Sequence, residues 1–340
     1  MEVKPKLITV VVPVYKVEPY INKCLDSLIV PDEQKDLLEV IIVNDGTPDN
    51  SAEMAREYEK KYPTVFRVID KPNGGHGSAW NRGLKEATGK YIKFLDSDDW
   101  FDTNEFSRLI SKLGTIDVDI ILSHYNRYYV QTGEHIKHPM YKDSIDQSFS
   151  IDNFNWEKLS WEGFNFWGCT YNTKMLQQEY PLFLEGVFYD DAILFIAPVI
   201  LAKSIHVFDA TIYNYLIGRP GQTVSPDVKR KHLDYWIKTH FQLFDFTLAH
   251  FDLIQGKNLK QYIVSFIKEW LHSCLLKLGQ FPYHESKYWA GKWECLFTQF
   301  RERIPRKDLR SSLINSYFVL PFPCFYFMDK SYSTFLDKKV

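Results

Sequence analysis

Lys90-Tyr-Ile-Lys-Phe-Leu-Asp-Ser-Asp-Asp-Trp100 is the stretch from which the fold of this 340-residue chain can be read. A run of β-forming residues stops abruptly at Asp96, Asp98 and Asp99. Side chains alternate across a strand, so Asp96 and Asp98 face the same way where the strand runs out. Carboxylates this close repel and raise each other's pKa, which disfavours burying them without a counter-cation. A hard divalent ion such as Mn²⁺ or Mg²⁺, carrying the phosphates of a nucleotide, supplies that cation. The plainer alternative is a solvated acidic turn ahead of a helix capped by Asp102 or Thr103.

Upstream, the same pattern recurs. Leu7-Ile-Thr-Val-Val-Val12 reads as a strand buried on both faces, closed by Pro13-Val14-Tyr15. Val40-Ile-Ile-Val43 is a second such strand, ending in the turn formers Asn44-Asp-Gly-Thr-Pro-Asp-Asn50. Asn50-Ser-Ala-Glu53 predicts a capped helix to about Tyr62. Val65 to Ile69 is a third strand, running into Lys71-Pro-Asn-Gly-Gly-His-Gly77, whose glycines let a ligand approach the backbone. Ser78 to Ala87 is helical, with Gly89 as its C′ residue, and Tyr91 to Leu95 is the fourth strand. Strand–helix alternation with short connections predicts an α/β fold built on a mainly parallel sheet. Ligands of such sheets bind beyond the carboxyl ends of the strands, and every unusual cluster in the first hundred residues falls on that edge.

Downstream, a helix from about Asn104 to Leu113 leads to a strand at Val118 to Ser123 and a hairpin around Gln131-Thr-Gly-Glu134. A Trp- and Phe-rich segment holds Trp156, Trp161, Phe164, Phe166 and Trp167. Phe188-Tyr-Asp-Asp-Ala-Ile-Leu-Phe195 sets two carboxylates at the head of an apolar helix, whose positive end favours their ionised form. A short strand, Ile205 to Phe208, precedes a polar loop over Tyr213 to Ser225. Helical periodicity with bulky aromatics takes over from about Asp227.

Four of these stretches, in order and spacing, resemble the family-two glycosyltransferases of the GT-A fold: Val11-Val-Pro-Val-Tyr15, Ile42-Val-Asn-Asp-Gly-Thr-Pro-Asp-Asn-Ser51, Asn73-Gly-Gly-His-Gly-Ser78 and Asp96-Ser-Asp-Asp99. The resemblance covers about residues 7 to 225. It implies a Rossmann-like, mixed but mainly parallel sheet flanked by helices, over residues 1–226, and the change of texture after that sets apart a mainly helical region at 227–340. Residues 1–100 would bind the nucleotide-sugar and 101–226 the acceptor. It further implies a metal-dependent inverting transfer from a UDP-sugar to a glycan, lipid-linked or protein-linked acceptor in bacterial surface polysaccharide or glycoconjugate synthesis. Pro13, Val14 and Tyr15 would line the nucleoside, and Asp45 would bind the uracil or ribose. Asp98 with Asp96 would hold Mn²⁺ or Mg²⁺ and the diphosphate. Asp191, the second of the acidic pair, would be the catalytic base, and Arg219 would meet the leaving diphosphate.

We place Asn73, Gly75 and His76 of the glycine loop, and Ser97 between the acidic residues, among the donor-binding residues. His76 reads equally as a solvated loop residue. The alternative for Asp45 is an Asx-turn, and for Asp190 and Asp191 a plain helix cap. Asp191 is expected to titrate as an ordinary carboxylate, near 3.9. The chain departs from the family at Trp80 and Asn214, where arginines are common. Lys71 or Arg219 would then carry the phosphate charge.

Composition excludes some classes. A net charge of −2 gives no basis for binding nucleic acid. No G-x-G-x-x-G follows the first strand, which disfavours a dinucleotide-dependent oxidoreductase. A sugar-phosphate nucleotidyltransferase would want a basic glycine-rich loop after that strand, and Pro13-Val-Tyr-Lys-Val-Glu18 is not one. A catalytically silent sugar-nucleotide-binding protein would not need both acidic pairs. The five scattered cysteines and the absence of a signal-like or membrane-spanning run predict a cytoplasmic protein. Arg301, Arg303, Arg306, Lys307 and Arg310 beside the apolar run Tyr317 to Met328 suit a peripheral contact with an anionic membrane face. We favour the plainer reading, a tail packed on the catalytic domain.

Overall fold

The computed structural model describes residues 5–160, 163–223, 228, 231–278 and 280–304. Trp161, Arg306, Lys307, Arg310 and the run Tyr317 to Met328 lie outside the described residues. The chain divides into two compact units, Met1–Tyr235 and Trp236–Val340.

In the first unit, β1 (Ile8–Val14), β2 (Leu38–Asn44), β3 (Phe66–Asp70) and β4 (Tyr91–Phe94) are the strands expected from their β-branched runs. Helices α1 (Ile21–Asp26), α2 (Ser51–Lys61) and α3 (His76–Glu86) connect them. All seven residues of β1 are buried, each Val or Ile contributing roughly 1.5–3 kcal/mol. β1 pairs in parallel with β2 on one side and β4 on the other, and β2 pairs in parallel with β3. The strand order therefore reverses at β1, which opens a crevice at the carboxyl edge.

The remaining strands widen this sheet. They are β5 (Trp100–Phe101), β6 (Ile120–Tyr129), β7 (His135–His138), β8 (Asp146–Ser150), β9 (Cys169–Asn172) and β10 (Ser204–Ile217). The order is β3-β2-β1-β4-β9-β6-β10-β5, with β7 on β6 and β8 on β10. β9 runs antiparallel between β4 and β6, so the sheet is mixed. Helices α4 (Thr103–Leu113), α5 (Thr173–Gln177) and α6 (Ala197–Leu201) complete the unit. Lys93 lies wholly buried on β4 and ties it to the aromatic segment, its Nζ donating to the carbonyls of Trp167 (3.2 Å) and Cys169 (2.9 Å).

Several local expectations change. Tyr213 to Ile217 is strand, not loop, because β10 runs on beside β6 past an irregularity between Val207 and Tyr213. Asp190 to Phe195 forms a 3₁₀ turn rather than the start of an α-helix. Asn50 makes no side-chain cap; Asp49 Oδ1 accepts from the Ser51 amide (3.2 Å) and hydroxyl (2.6 Å) instead. Gly89 is needed for close approach, since a Cβ there would stand 2.5 Å from the Thr9 nitrogen.

The second unit contains α8 (Lys257–Leu278) and α9 (Tyr283–Arg303), preceded by α7 (Leu233–Ala249), which begins at the end of the first unit. Trp293 packs there against Phe241 (4.4 Å) and Phe244 (4.9 Å). Among the described residues no helix is long and apolar enough to cross a membrane.

Candidate active site

The turn after β4 is fixed from across the sheet. Tyr213 on β10 donates its hydroxyl to Asp99 Oδ2 (2.6 Å) and accepts from the Asp96 amide (3.2 Å). The Leu216 amide donates to Asp99 Oδ1 (2.8 Å). Asp99 is thus a buried pin between the turn and β10, which leaves Asp96 and Asp98 facing the crevice. Oxygens of Asp96, Asp98 and Asp99 lie within 4.8 Å of one another. Burial and the neighbouring Asp96 push the Asp98 carboxyl up, opposed by the Arg219 guanidinium, whose Nε donates to Asp98 Oδ2. Burial and the same acidic neighbours hold Asp99 well above the usual range. A compact, all-oxygen, mutually repelling donor set fits a hard divalent cation. Asp98 and Asp96 would hold it, with Asp99 retained by its own partners. Ser97 between them is buried.

The glycine loop is latched to the end of β2. Asp45 is buried and accepts from Lys71 Nζ (2.5 Å) and the amides of Gly74 and Gly75 (both 2.9 Å). Asn73 Nδ2 donates to the Asp45 carbonyl (2.9 Å). A carboxylate offers about four acceptor positions, so Asp45 retains room for one further donor. Lys71 is committed to this latch. At the end of β1, Pro13 and Val14 are buried in the strand, while Tyr15 stands exposed. Lys16 follows in the left-handed region (φ 55°), its amide donating to Thr47 Oγ1 (2.8 Å).

Asp190 and Asp191 reach this edge because the segment before them is zipped onto α3. Asn81 Nδ2 donates to the Phe183 carbonyl (2.8 Å) and to Glu185 (3.0 Å), and its Oδ1 accepts from the Phe183 amide (3.0 Å). The Gly186 amide donates to the Gly74 carbonyl (3.0 Å). Gly77 permits the contact, since a Cβ there would sit 2.1 Å from the Leu184 carbonyl oxygen. Asp190, 2% exposed, meets His76 Nδ1 at 2.9 Å, and His76 Nε2 meets Asp96 Oδ1 at 3.0 Å. Burial lowers the His76 pKa, but the two carboxylates outweigh it and hold the imidazole well above its usual value. Neither aspartate caps a helix. Burial, then the charge of Asp190, pushes Asp191 up to about 7 rather than the ordinary carboxylate value.

Most of the anticipated residues therefore face one edge. Trp80 does not contribute polar contacts: it is fully buried against Phe94 (4.6 Å), Phe166 (4.9 Å) and Phe183 (5.1 Å). Asn214 is buried and accepts from Asn126 (2.9 Å). Sequence reasoning missed Asn81 and Tyr213. Gly77 is legible in the sequence only as a loop glycine that admits a ligand; the structure places it inside α3, where it admits the Leu184 backbone instead.

The sequence profile of glycosyl transferase family 2 matches residues 9–179. Glycosyltransferase GlyA of Streptococcus pneumoniae is 30% identical over 218 residues, covering 62% of this chain and 31% of GlyA. The poly(ribitol-phosphate) beta-glucosyltransferase of Bacillus spizizenii is 40% identical over 103 residues, covering 30% of this chain and 16% of that protein. The chain thus spans only a third or less of the length of these relatives. In structure it is similar to TarS 1-349 of S. aureus in complex with UDP, with a TM-score of 0.68, 18% identity, and coverage of 96% of this chain and 88% of that one. The mixed sheet and the flanking helices are those of a GT-A fold, and the chain belongs to glycosyl transferase family 2.

Proposed function

We propose that this chain is a metal-dependent, inverting glycosyltransferase that moves a sugar from a UDP-sugar to a saccharide-bearing acceptor in bacterial surface polysaccharide or glycoconjugate synthesis. The observation that carries the reading is that Asp96, clustered with Asp98, and Asp190, which precedes Asp191, meet through His76 at one edge of the sheet although they lie about ninety residues apart in sequence. UDP in the TarS complex supports the nucleotide. The acceptor named for the glucosyltransferase relative supports a surface polymer.

In this reading Tyr15 and the remaining acceptor position of Asp45 receive the nucleoside. Asn73, Gly75 and the latched loop bring backbone close to the donor. A divalent ion, when bound by Asp96 and Asp98, neutralises charge on the diphosphate. Arg219 moves from Asp98 to the leaving diphosphate, where its charge counts most as the glycosidic bond breaks. Asp191 takes the proton of the acceptor hydroxyl as that oxygen attacks the anomeric carbon from the face opposite the diphosphate. A base poised near 7 is substantially ionised at neutral pH and still proton-seeking.

The test is a screen of nucleotide-sugars with Mn²⁺ or Mg²⁺, reading free UDP with and without glycan acceptors. Release of UDP that depends on one donor, and rises with acceptor, is the expected result. No release from any donor would refute the reading.

A further inference from the structure

One imidazole spans the two acidic pairs. His76 Nε2 lies 3.0 Å from Asp96 Oδ1, and Nδ1 lies 2.9 Å and 3.2 Å from the two oxygens of Asp190. Asp96 lies in the turn after β4 that carries the proposed metal carboxylates, and Asp190 opens the turn that carries Asp191. An imidazole has two nitrogens, and both are engaged by protein, so neither is left to contact the donor.

The ring is also held from the side. Its centroid is 4.2 Å from that of Trp80, whose indole is locked in the aromatic core. Its own backbone is set by the Asp45 latch at Gly74 and Gly75. A nearly fully buried carboxylate such as Asp190 needs a partner to stay in place, and both its oxygens face His76.

We propose that His76 is a positioning residue for sugar transfer. It holds Asp190, and through it the segment of Asp191, at a fixed distance from the Asp96 side of the donor site. This rests on reading Asp191 as the base and Asp96 with Asp98 as the donor site. His76 itself touches no reacting atom. It sets the line between the attacking hydroxyl and the leaving diphosphate, and an error of about 1 Å in such a line costs on the order of 100-fold in rate.

The test compares transfer kinetics of His76→Phe, Asp190→Asn and the double variant, with the apparent Tm of each. His76→Phe keeps a flat ring over Trp80 and removes both nitrogens. It is expected to lower kcat for transfer on the order of 100-fold, while KM for the donor changes less than about threefold. The double variant is expected to be no slower than the slower single one, because both changes cut one link. Should His76→Phe fail to fold, His76→Gln, which reaches one carboxylate but not both, is expected to lose kcat by roughly tenfold with the same KM pattern. Wild-type kcat in the folded variant, a loss that appears in KM instead, or losses that multiply in the double variant would overturn the proposal. A wild-type protein that releases no UDP from any donor overturns the functional reading, and this bridge with it. A wild-type protein that transfers normally beside an indifferent His76→Phe overturns the bridge alone.

Discussion

Replacing Asp191 by asparagine is expected to move activity and stability in opposite directions. Burial and Asp190 raise the carboxyl from its ordinary 3.8 to about 7 in the folded chain. A raised acid pKa means that the unfolded state gives up its proton first. The cost to the folded state is absent below about pH 4, accumulates as pH rises from about 4 to 7, and is constant above that. At about 1.4 kcal/mol per pH unit, the ceiling is about 4 kcal/mol, and relaxation around the ionised group brings the expected gain to roughly 2–4 kcal/mol. Asp191→Asn removes that cost. At pH 8 its apparent Tm is expected to rise on the order of 5–10 °C, and at pH 4 the gain is expected to fall below about 1 kcal/mol. Loss of a general base lowers transfer by about 10²- to 10⁴-fold. In the wild type, kcat/KM is expected to fall with acidification below about pH 7, as the base becomes protonated. Scanning fluorimetry across pH, with UDP release by wild type and variant, measures all three. A variant that transfers at near wild-type rate, or whose Tm difference is the same at pH 4 and pH 8, refutes the reasoning.

Three further outcomes are expected. Excess chelator is expected to abolish transfer and Mn²⁺ or Mg²⁺ to restore it, while Asp98→Asn loses metal-dependent UDP binding by calorimetry but keeps its fold; full activity in chelator would end the metal assignment. Gly77→Ala places a Cβ 2.1 Å from the Leu184 carbonyl oxygen, so it is expected to push away the segment carrying Asp190 and Asp191, costing about 1–3 kcal/mol in urea unfolding and most of the transfer rate; unchanged values would contradict the zipped contact. Burial lowers the Lys93 pKa from 10.5 to about 7, so the folded state bears the lysine's desolvation cost at low pH and sheds it as pH rises from about 7 to 10.5. The urea midpoint of Lys93→Met is therefore expected to lack the component of the wild-type rise over that interval that Lys93 contributes, and identical slopes would show that Lys93 stays charged when folded.

What the sequence by itself determined was local in origin. Buried parallel strands announce themselves as unbroken β-branched runs, as at Val10–Val12 and Val40–Val43, because both faces must be apolar. Their carboxyl ends show as turn formers, glycines and carboxylates, since loops there must bend sharply and meet a ligand. That was enough to place Asp45, the Asn73–Gly77 loop, Asp96 and Asp98 on one edge, and the order of these clusters pointed to the family. Tertiary structure decided everything that depends on a distant partner. Tyr213 reads as loop until β6 offers a neighbour for it, and only then does it pin Asp99. Asp45 reads as a ligand contact or an Asx-turn until Lys71 and two amides fold back on it. His76 and Asp190 are 114 residues apart in sequence, and no periodicity links them. The protonation of Asp191 was misread for the same reason: a pKa follows from desolvation and nearby charge, which belong to the folded surroundings and not to the residue type.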